Sequence, residues 1–263
     1  VAKHALRGTA LLYLAALLLV PVGMIAYRTF AHGLGVVISA LSAAPTVHAM
    51  WLSLLATAIA VPINLVFGIS AGLLLARRRM WLRGPVNLLI DLPFAMSPVV
   101  IGLAHYILYG RGGWLGDWLT DHGVQILFSL PAVVLATAFV SLPFVVREVV
   151  PVLEELGTDQ ESAAETLGAG PARILWAITL PSIRWALIYG VVLSAARALG
   201  EFGAVSIVSG NVVGQTQTLP LVVEERFRNF DTIGAYSAGF LLAAVSLLIL
   251  ATMTLLHRRR QRP

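Results

Sequence analysis

The chain has no cysteine among its 263 residues. Disulfides, Cys-ligated zinc and thiol chemistry are therefore excluded. Charge is scarce as well: 12% of the residues are Asp, Glu, Lys or Arg, against about 25% in an ordinary soluble domain. With 58% hydrophobic residues and a mean hydropathy of +0.86, too little polar surface remains to cover a water-soluble fold. That balance disfavours a soluble enzyme, a disordered chain and a nucleic-acid binder. No G-x-x-x-x-G-K-[S/T] string occurs, so the usual loop for cradling ATP phosphates is missing. His48, His105 and His122 are scattered and form no metal-ligand spacing. No Ser–His–Asp set or carboxylate pair falls within one apolar stretch. Catalytic residues, metal ligands and cofactors bound by this chain are accordingly expected to be none. Lysine is nearly absent, since 17 of the 18 basic residues are Arg. We read that as codon bias. Low-complexity tracts, a soluble domain and a convincing internal repeat are also missing.

What is present is a series of long apolar stretches. A membrane-spanning helix needs about 20 mostly apolar residues. The first candidate runs from about Thr9 to Tyr27. Lys3 and Arg7 precede it as in a signal peptide, but no small-x-small cleavage site follows and further stretches do, so it reads as an uncleaved first helix. The others are about Val47–Ala76, Pro85–Tyr109, Val124–Val146, Trp185–Val208 and Ile233–Leu256. Pro93 and Pro98 are expected to kink the third. The sequence thus predicts an all-α polytopic membrane protein of six helices, forming one transmembrane domain over residues 1–263.

The basic residues predict its orientation. With the N-terminus inside, the inner segments hold Lys3, Arg7, Arg77, Arg78, Arg79, Arg83, Arg147, Arg173, Arg184, Arg258, Arg259, Arg260 and Arg262. The outer segments hold Arg28, Arg111, Arg226 and Arg228, so the count is thirteen against four. That is a strong positive-inside bias, and it accounts for a pI near 10.1 without a nucleic-acid partner. Six spans place both termini in the cytoplasm, whereas five would put His257-Arg-Arg-Arg outside. The outer segment Ala31–Thr46 is mildly apolar and compatible with a short helix on the membrane surface. The outer loop Gly110–Gly123 carries Trp114 and Trp118, which suit an interface.

The inner segment Arg147–Arg184 stands apart, with 38 residues and six of the thirteen acidic residues. Its first part predicts an amphipathic helix ending near Leu167. Gly168 follows as a terminator able to take positive φ. Pro171 suits the first turn of a second helix. Leu180-Pro181 is expected to end that helix, because the residue before a proline is pushed out of the α region. The segment therefore reads as helix–turn–helix on the cytoplasmic face.

Within it, Ala163-Ala164-Glu165-Thr166-Leu167-Gly168-Ala169 and Ile178-Thr179-Leu180-Pro181, with nine residues separating Gly168 from Ile178, resemble the EAA motif of ABC importer permeases. One position departs, because Ser162 stands where the pattern has its first Glu and Glu161 lies one residue earlier. Three further strings extend the likeness over about Val47–Asp231: Asp91-Leu-Pro-Phe-Ala-Met-Ser-Pro, Ser141-Leu-Pro-Phe-Val-Val-Arg-Glu, and Arg197-Ala-Leu-Gly-Glu-Phe-Gly-Ala. With Gln215-Thr-Gln-Thr-Leu-Pro they resemble the sulfate/thiosulfate importer permeases, most of all the CysW-type branch. Molybdate and tungstate permeases share the Gly-Glu-Phe-Gly theme and are the near competitor. The resemblance implies a type I importer subunit of MetI-like fold in the bacterial inner membrane. It implies four kinds of partner: a second, CysT-like permease, two cytoplasmic ATPase subunits that use ATP and Mg, an external sulfate-binding protein, and membrane lipid. It also implies that residues 147–184 form the coupling segment. Glu161, Ala163, Ala164, Leu167, Gly168, Ala169, Ile178, Leu180 and Pro181 would meet the ATPase.

Two charges lie within the fifth stretch. Arg197 and Glu201 are four apart and share a helix face. Ionised groups at bilayer depth are costly and usually face a bundle interior or a wet cavity. Two roles remain open: a neutralising pair that fixes packing, or an Arg lining an anion route with Glu201 holding it. Ser97, Ser206, Ser209 and Thr218 are further candidate donors to an oxyanion. Gly200 and Gly203 would allow close helix approach. Asn64 and Asp91 are candidate structural hydrogen-bonders, a role favoured over an anion contact for Asp91. An intramembrane enzyme using Arg197 and Glu201 would need a second titratable group nearby, and Asp91 sits toward the other face. A structural scaffold would leave the Ala163–Pro181 pattern unexplained.

Overall fold

The computed structural model of the chain describes residues 2–77, 81 and 83–260. Arg78, Arg79 and Arg262, counted above among the inner charges, lie outside the described residues. Regular structure among the described residues is helical throughout. In order come α1 (Ala2–Phe30), α2 (Leu34–Ser42), α3 (Ala44–Arg77), α4 (Arg83–Ala95), α5 (Pro98–Tyr109), α6 (Gly116–Asp121) and α7 (Leu130–Leu156). Then follow α8 (Asp159–Thr166), α9 (Pro171–Ile174), a π-helical turn at Leu175–Thr179, α10 (Leu180–Ser182), α11 (Arg184–Leu199), α12 (Gly203–Val208), α13 (Leu219–Arg228) and α14 (Thr232–Arg260). Among the described residues, four helices are long and apolar enough to cross a membrane: Leu6–Phe30 within α1, α3, α7 and Thr232–Thr252 within α14. The number reaches six if two bent pairs, Arg83–Ala95 with Pro98–Tyr109 and Pro171–Ser182 with Arg184–Leu199, each count as one span.

The centre is a bundle of α3, α7 and α11. Small residues let these helices approach, since lipid supplies no hydrophobic drive between them. Gly68 and Gly72 of α3 lie against Val145 and Val149 of α7, and Gly190 of α11 lies against the Val145 backbone. A buried polar knot joins the same three helices. Asn64 Nδ2 donates to Ser141 Oγ at 2.8 Å and to Ser194 Oγ at 3.3 Å. Asn64 is thus a structural hydrogen-bonder, as its sequence position suggested. So is Asp91, which accepts from Arg147 Nε at 2.9 Å and ties α4 to α7. A Cβ at Gly190 would sit 2.9 Å from Val145 Cα, a backbone atom that cannot step aside. Overpacking of this kind costs about 1–3 kcal/mol. Gly190→Leu is expected to lower the thermal midpoint of the detergent-solubilised protein. Gly84→Ala, where a Cβ meets nothing within 4 Å, is expected to leave it unchanged.

Two expected spans are broken rather than continuous. The third is two helices meeting at 111°, with the break at Met96–Ser97. Pro93 sits inside α4 without ending it, and Pro98 opens α5. Ser97, just before Pro98, is extended at φ −62° and ψ 136°, the conformation a following proline imposes. The fifth stops at Leu199 and resumes at Gly203, so α11 and α12 replace one helix over Trp185–Val208. The fourth is shifted: α7 begins at Leu130 and runs on through Arg147 to Leu156. The expected short helix between the first two spans is α2. Helix α1 carries exposed apolar side chains on all sides and touches the rest through α14 and α2.

The helix–turn–helix after α7 is present in modified form. Gly157, at φ 61°, separates α7 from α8. Gly168 follows α8 at φ +84°. The Ala169 N–H donates to Ala164 O at 3.0 Å and the Gly168 N–H to Glu165 O at 2.9 Å, the paired bonds of a Schellman stop. The second helix does not end at Leu180-Pro181. Leu180 is α-helical at φ −62° and ψ −44°, and the helix runs to Ser182 before bending 70° into α11. The proline is accommodated because the preceding turn is a π turn, in which the Leu180 N–H reaches Leu175 O. Such a bulge shifts the hydrogen-bond register, so Pro181 enters a helix whose ladder is already interrupted.

Candidate functional site

Two places gather the residues singled out by sequence. The first is the hairpin of α8 and the helix from Pro171 to Ser182. Its two motif halves touch: Thr179 Oγ1, buried inside the Ile-Thr-Leu-Pro string, donates to Glu161 Oε1 at 2.8 Å. Ala163, Leu167, Gly168 and Pro181 are exposed, while Ala164, Ala169, Ile178 and Leu180 are half-buried. Leu167 is the extreme case, 88% exposed at the tip of the turn. An exposed leucine beside a left-handed glycine gives the hairpin a protruding apolar tip. Glu161 points the other way. It pairs with Arg77 at the end of α3, with Nε 3.0 Å from Oε2 and Nη2 donating to Oε1 at 3.2 Å. Arg77 and Thr179 were not among the expected site residues. Arg77 looked like one member of a basic inner loop, and its partner lies 84 positions away.

The second place is where the two broken helices meet. Gly203 opens α12 against the start of α5: a Cβ there would lie 2.8 Å from Pro98 Cβ. Gly102 likewise faces the Ala204 carbonyl, at 2.7 Å from a Cβ. Gly200 makes no such approach; its nearest contacts are carbonyls of its own helix at 3.9 Å. Its place is at the end of α11, not at a helix crossing. Glu201 occupies the break between α11 and α12 with its side chain 1% exposed. Its Oε1 accepts the Ala204 N–H at 2.8 Å, satisfying one of the free donors at the start of α12. Its Oε2 lies 2.7 Å from Arg197 Nη1, an ion contact off the line of a hydrogen bond. Arg197 is 31% exposed, so the pair presents its positive end outward and buries its negative one.

The remaining candidates divide. Ser97 is exposed at the first break, beside the Gly203 approach, with no side-chain capping bond. Ser206 is half-buried and donates to Gly203 O at 2.8 Å. Ser209 is buried and already used, accepting the Asn211 N–H at 3.1 Å while its carbonyl takes Thr216 Oγ1 at 2.6 Å. Thr218 opens α13, is buried, and has an Oγ1 without a partner among the described residues. The structure therefore brings Arg197, Glu201 and Ser97 to one pair of helix breaks and gives Ser209 a structural duty. No cluster of metal-ligating side chains occurs among the described residues.

Comparison with known proteins places this geometry. The family model described as "binding-protein-dependent transport system inner membrane component" matches residues 65–262. The sulfate transport system permease protein CysW of Synechococcus elongatus (strain ATCC 33912 / PCC 7942 / FACHB-805) is 48% identical, over 98% of this chain and 90% of that protein. The protein of the same name from Escherichia coli (strain K12) is 45% identical, over 98% of this chain and 88% of its own length. A solved structure of a bacterial alginate ABC transporter, in complex with alginate pentasaccharide-bound periplasmic protein, has a similar fold. It superposes with a TM-score of 0.79 at 15% identity, covering 99% of this chain and 95% of that one. The family model covers most of the chain and the relatives match along nearly all of it, so the chain belongs to the family of inner membrane components of binding-protein-dependent transport systems.

Proposed function

We propose that the chain is a permease subunit of an ATP-driven importer that moves sulfate or thiosulfate across the cytoplasmic membrane. The observation that carries this reading is the identity of 48% along nearly the whole chain to a permease named for sulfate transport. In this reading residues 1–263 form one transmembrane domain. Six spans, two of them broken, leave both termini in the cytoplasm. Residues 147–184 include the coupling segment, and the exposed tip at Leu167 and Gly168 enters a cleft of the ATPase. ATP and Mg are used by that ATPase pair and not by this chain. A CysT-like permease completes the pathway, and an external binding protein delivers the anion. Arg197, partly neutralised by Glu201, attracts a divalent anion without trapping it.

The test is reconstitution with those partners in proteoliposomes containing ATP. Labelled sulfate is expected to accumulate and unlabelled thiosulfate to compete. If the vesicles accumulate molybdate and leave sulfate outside, the assignment moves to the molybdate/tungstate class. ATP-independent lipid turnover dependent on Arg197 and Glu201 would instead favour an intramembrane enzyme.

A further inference from the structure

We propose that Arg77 is a positioning residue that fixes the angle of the cytoplasmic hairpin against the transmembrane bundle and so sets how tightly transport follows ATP hydrolysis. The inference rests on the permease reading above and adds to it a residue outside the EAA pattern.

The hairpin, residues 159–182, joins the bundle through two bends. At one end Gly157 takes φ 61° between α7 and α8. At the other the chain turns 70° at Ile183. Two bends of this kind act as hinges unless something spans the gap. Arg77 spans it. Its Nη1 donates to Leu153 O at 2.8 Å, and Nη2 to Glu161 Oε1 at 3.2 Å. Leu153 lies in the last turn of α7, where carbonyls have no partner within the helix and where a cation is favoured by the helix dipole. Glu161 in turn accepts from Thr179. One guanidinium therefore links the end of α3, the end of α7, α8 and the π turn.

Burial singles this contact out from its neighbours. The side chains of Arg77 and Glu161 are 16% and 20% exposed. Those of Arg83 and Glu154, which also bridge α4 and α7, are 48% and 41% exposed. Exposed pairs contribute little, whereas breaking a shielded one leaves a charge without its partner. The Arg fork also matters, because two donors reach two acceptor groups from one rigid plane while Nε stays in ion contact with Glu161. Lys at this place would keep the charge and lose that geometry. The knot further accounts for the shifted acid of the motif. With Ser at 162, the only carboxylate of the first turn facing the bundle is Glu161, and it serves the hairpin's own anchorage. The negative charge left on the exposed side of α8 is that of Asp159 and Glu165.

The experiment uses the full complex with its ATPase pair, second permease and binding protein in proteoliposomes. Sulfate moved per ATP hydrolysed is measured for wild type, Arg77→Ala, Arg77→Lys and Glu161→Gln. Arg77→Ala is expected to assemble and hydrolyse ATP, but to move roughly tenfold less sulfate per ATP, within the usual 5- to 150-fold range of coupling between sites. Arg77→Lys and Glu161→Gln are expected to fall between. Hydrogen exchange over residues 159–166 should rise in Arg77→Ala. A purely structural role would raise exchange and lower complex yield without changing the ratio in what assembles. An unchanged ratio in assembled Arg77→Ala therefore overturns the proposal. So does failure of both Arg77→Ala and Glu161→Gln to assemble at all. If the wild-type complex itself moves no sulfate, the permease reading fails instead, and the exchange difference still decides whether Arg77 anchors the hairpin.

Discussion

Arg197→Ala is expected to reduce sulfate uptake by roughly a hundredfold. The reason is the asymmetry of the ion pair. Glu201 is almost fully buried and Arg197 is about a third exposed. Removing the arginine leaves a carboxylate in the break between α11 and α12 with only the Ala204 N–H to satisfy it. Breaking a shielded pair costs about 3 kcal/mol at the lower end of the usual range, roughly a hundredfold in an equilibrium. The lower end applies because part of the guanidinium is wet. Two outcomes separate packing from passage. If the arginine serves packing alone, Arg197→Ala combined with Glu201→Gln should restore uptake. Glutamine keeps an oxygen for Ala204 and removes the stranded charge. If the arginine lines the anion route, that double variant should assemble well and remain poor at uptake, while Arg197→Lys keeps a measurable part. An assembled Arg197→Ala complex with normal uptake would remove Arg197 from the route.

The features that sequence exposed are those with a short-range physical cause. Apolar runs longer than a bilayer's thickness marked α1, α3 and α14 directly, and α7 with shifted bounds, because hydropathy adds up over a window. Gly168 was legible because a helix that must stop needs a residue free to take positive φ, and the structure places it at φ +84°. The break at Met96–Ser97 was legible only as a kink expected of Pro93 and Pro98, and the break at Gly200–Phe202 was hidden. Apolar residues on both sides outweigh Ser97 and Glu201 in a window average, which does not register the backbone turning. Proline was an uneven guide. The residue before Pro98 is extended, as is Gly170 before Pro171. Leu180 before Pro181 is helical, because the π turn at Leu175–Thr179 changes which carbonyl the missing N–H would have met. The pairing of Arg77 with Glu161 joins positions 84 apart, and no local pattern encodes it. The positive-inside count treated Arg77 as one charge among thirteen, whereas the fold uses its geometry.

Gly168→Asp is expected to leave membrane insertion intact and to abolish transport by releasing the ATPase. Insertion depends on the apolar spans and their flanking arginines, and Gly168 lies in the turn after α8, away from them. Nothing lies within 4 Å of a Cβ built at this position, so the substitution causes no clash in the chain itself. Two other costs remain. A side chain at φ +84° raises the backbone energy by about 1 kcal/mol, less for Asp than for a β-branched residue. That alone would fray the stop held by the Ala169 to Ala164 bond and leave much of the hairpin in place. The larger cost falls on docking. Residue 168 adjoins Leu167, the most protruding apolar side chain of the hairpin, so a carboxylate there must be buried with it or hold it out. Charge misplaced at an interface costs several kcal/mol, enough to empty a micromolar complex. Gly168→Asn isolates the two terms, because Asn tolerates the left-handed region and carries no charge. It is expected to bind the ATPase and transport at a modestly reduced rate, while Gly168→Asp is expected to reach normal membrane levels without co-purifying ATPase. A Gly168→Asp chain that retains its ATPase and supports wild-type uptake would make residues 163–181 an ordinary loop and remove the coupling role assigned to them.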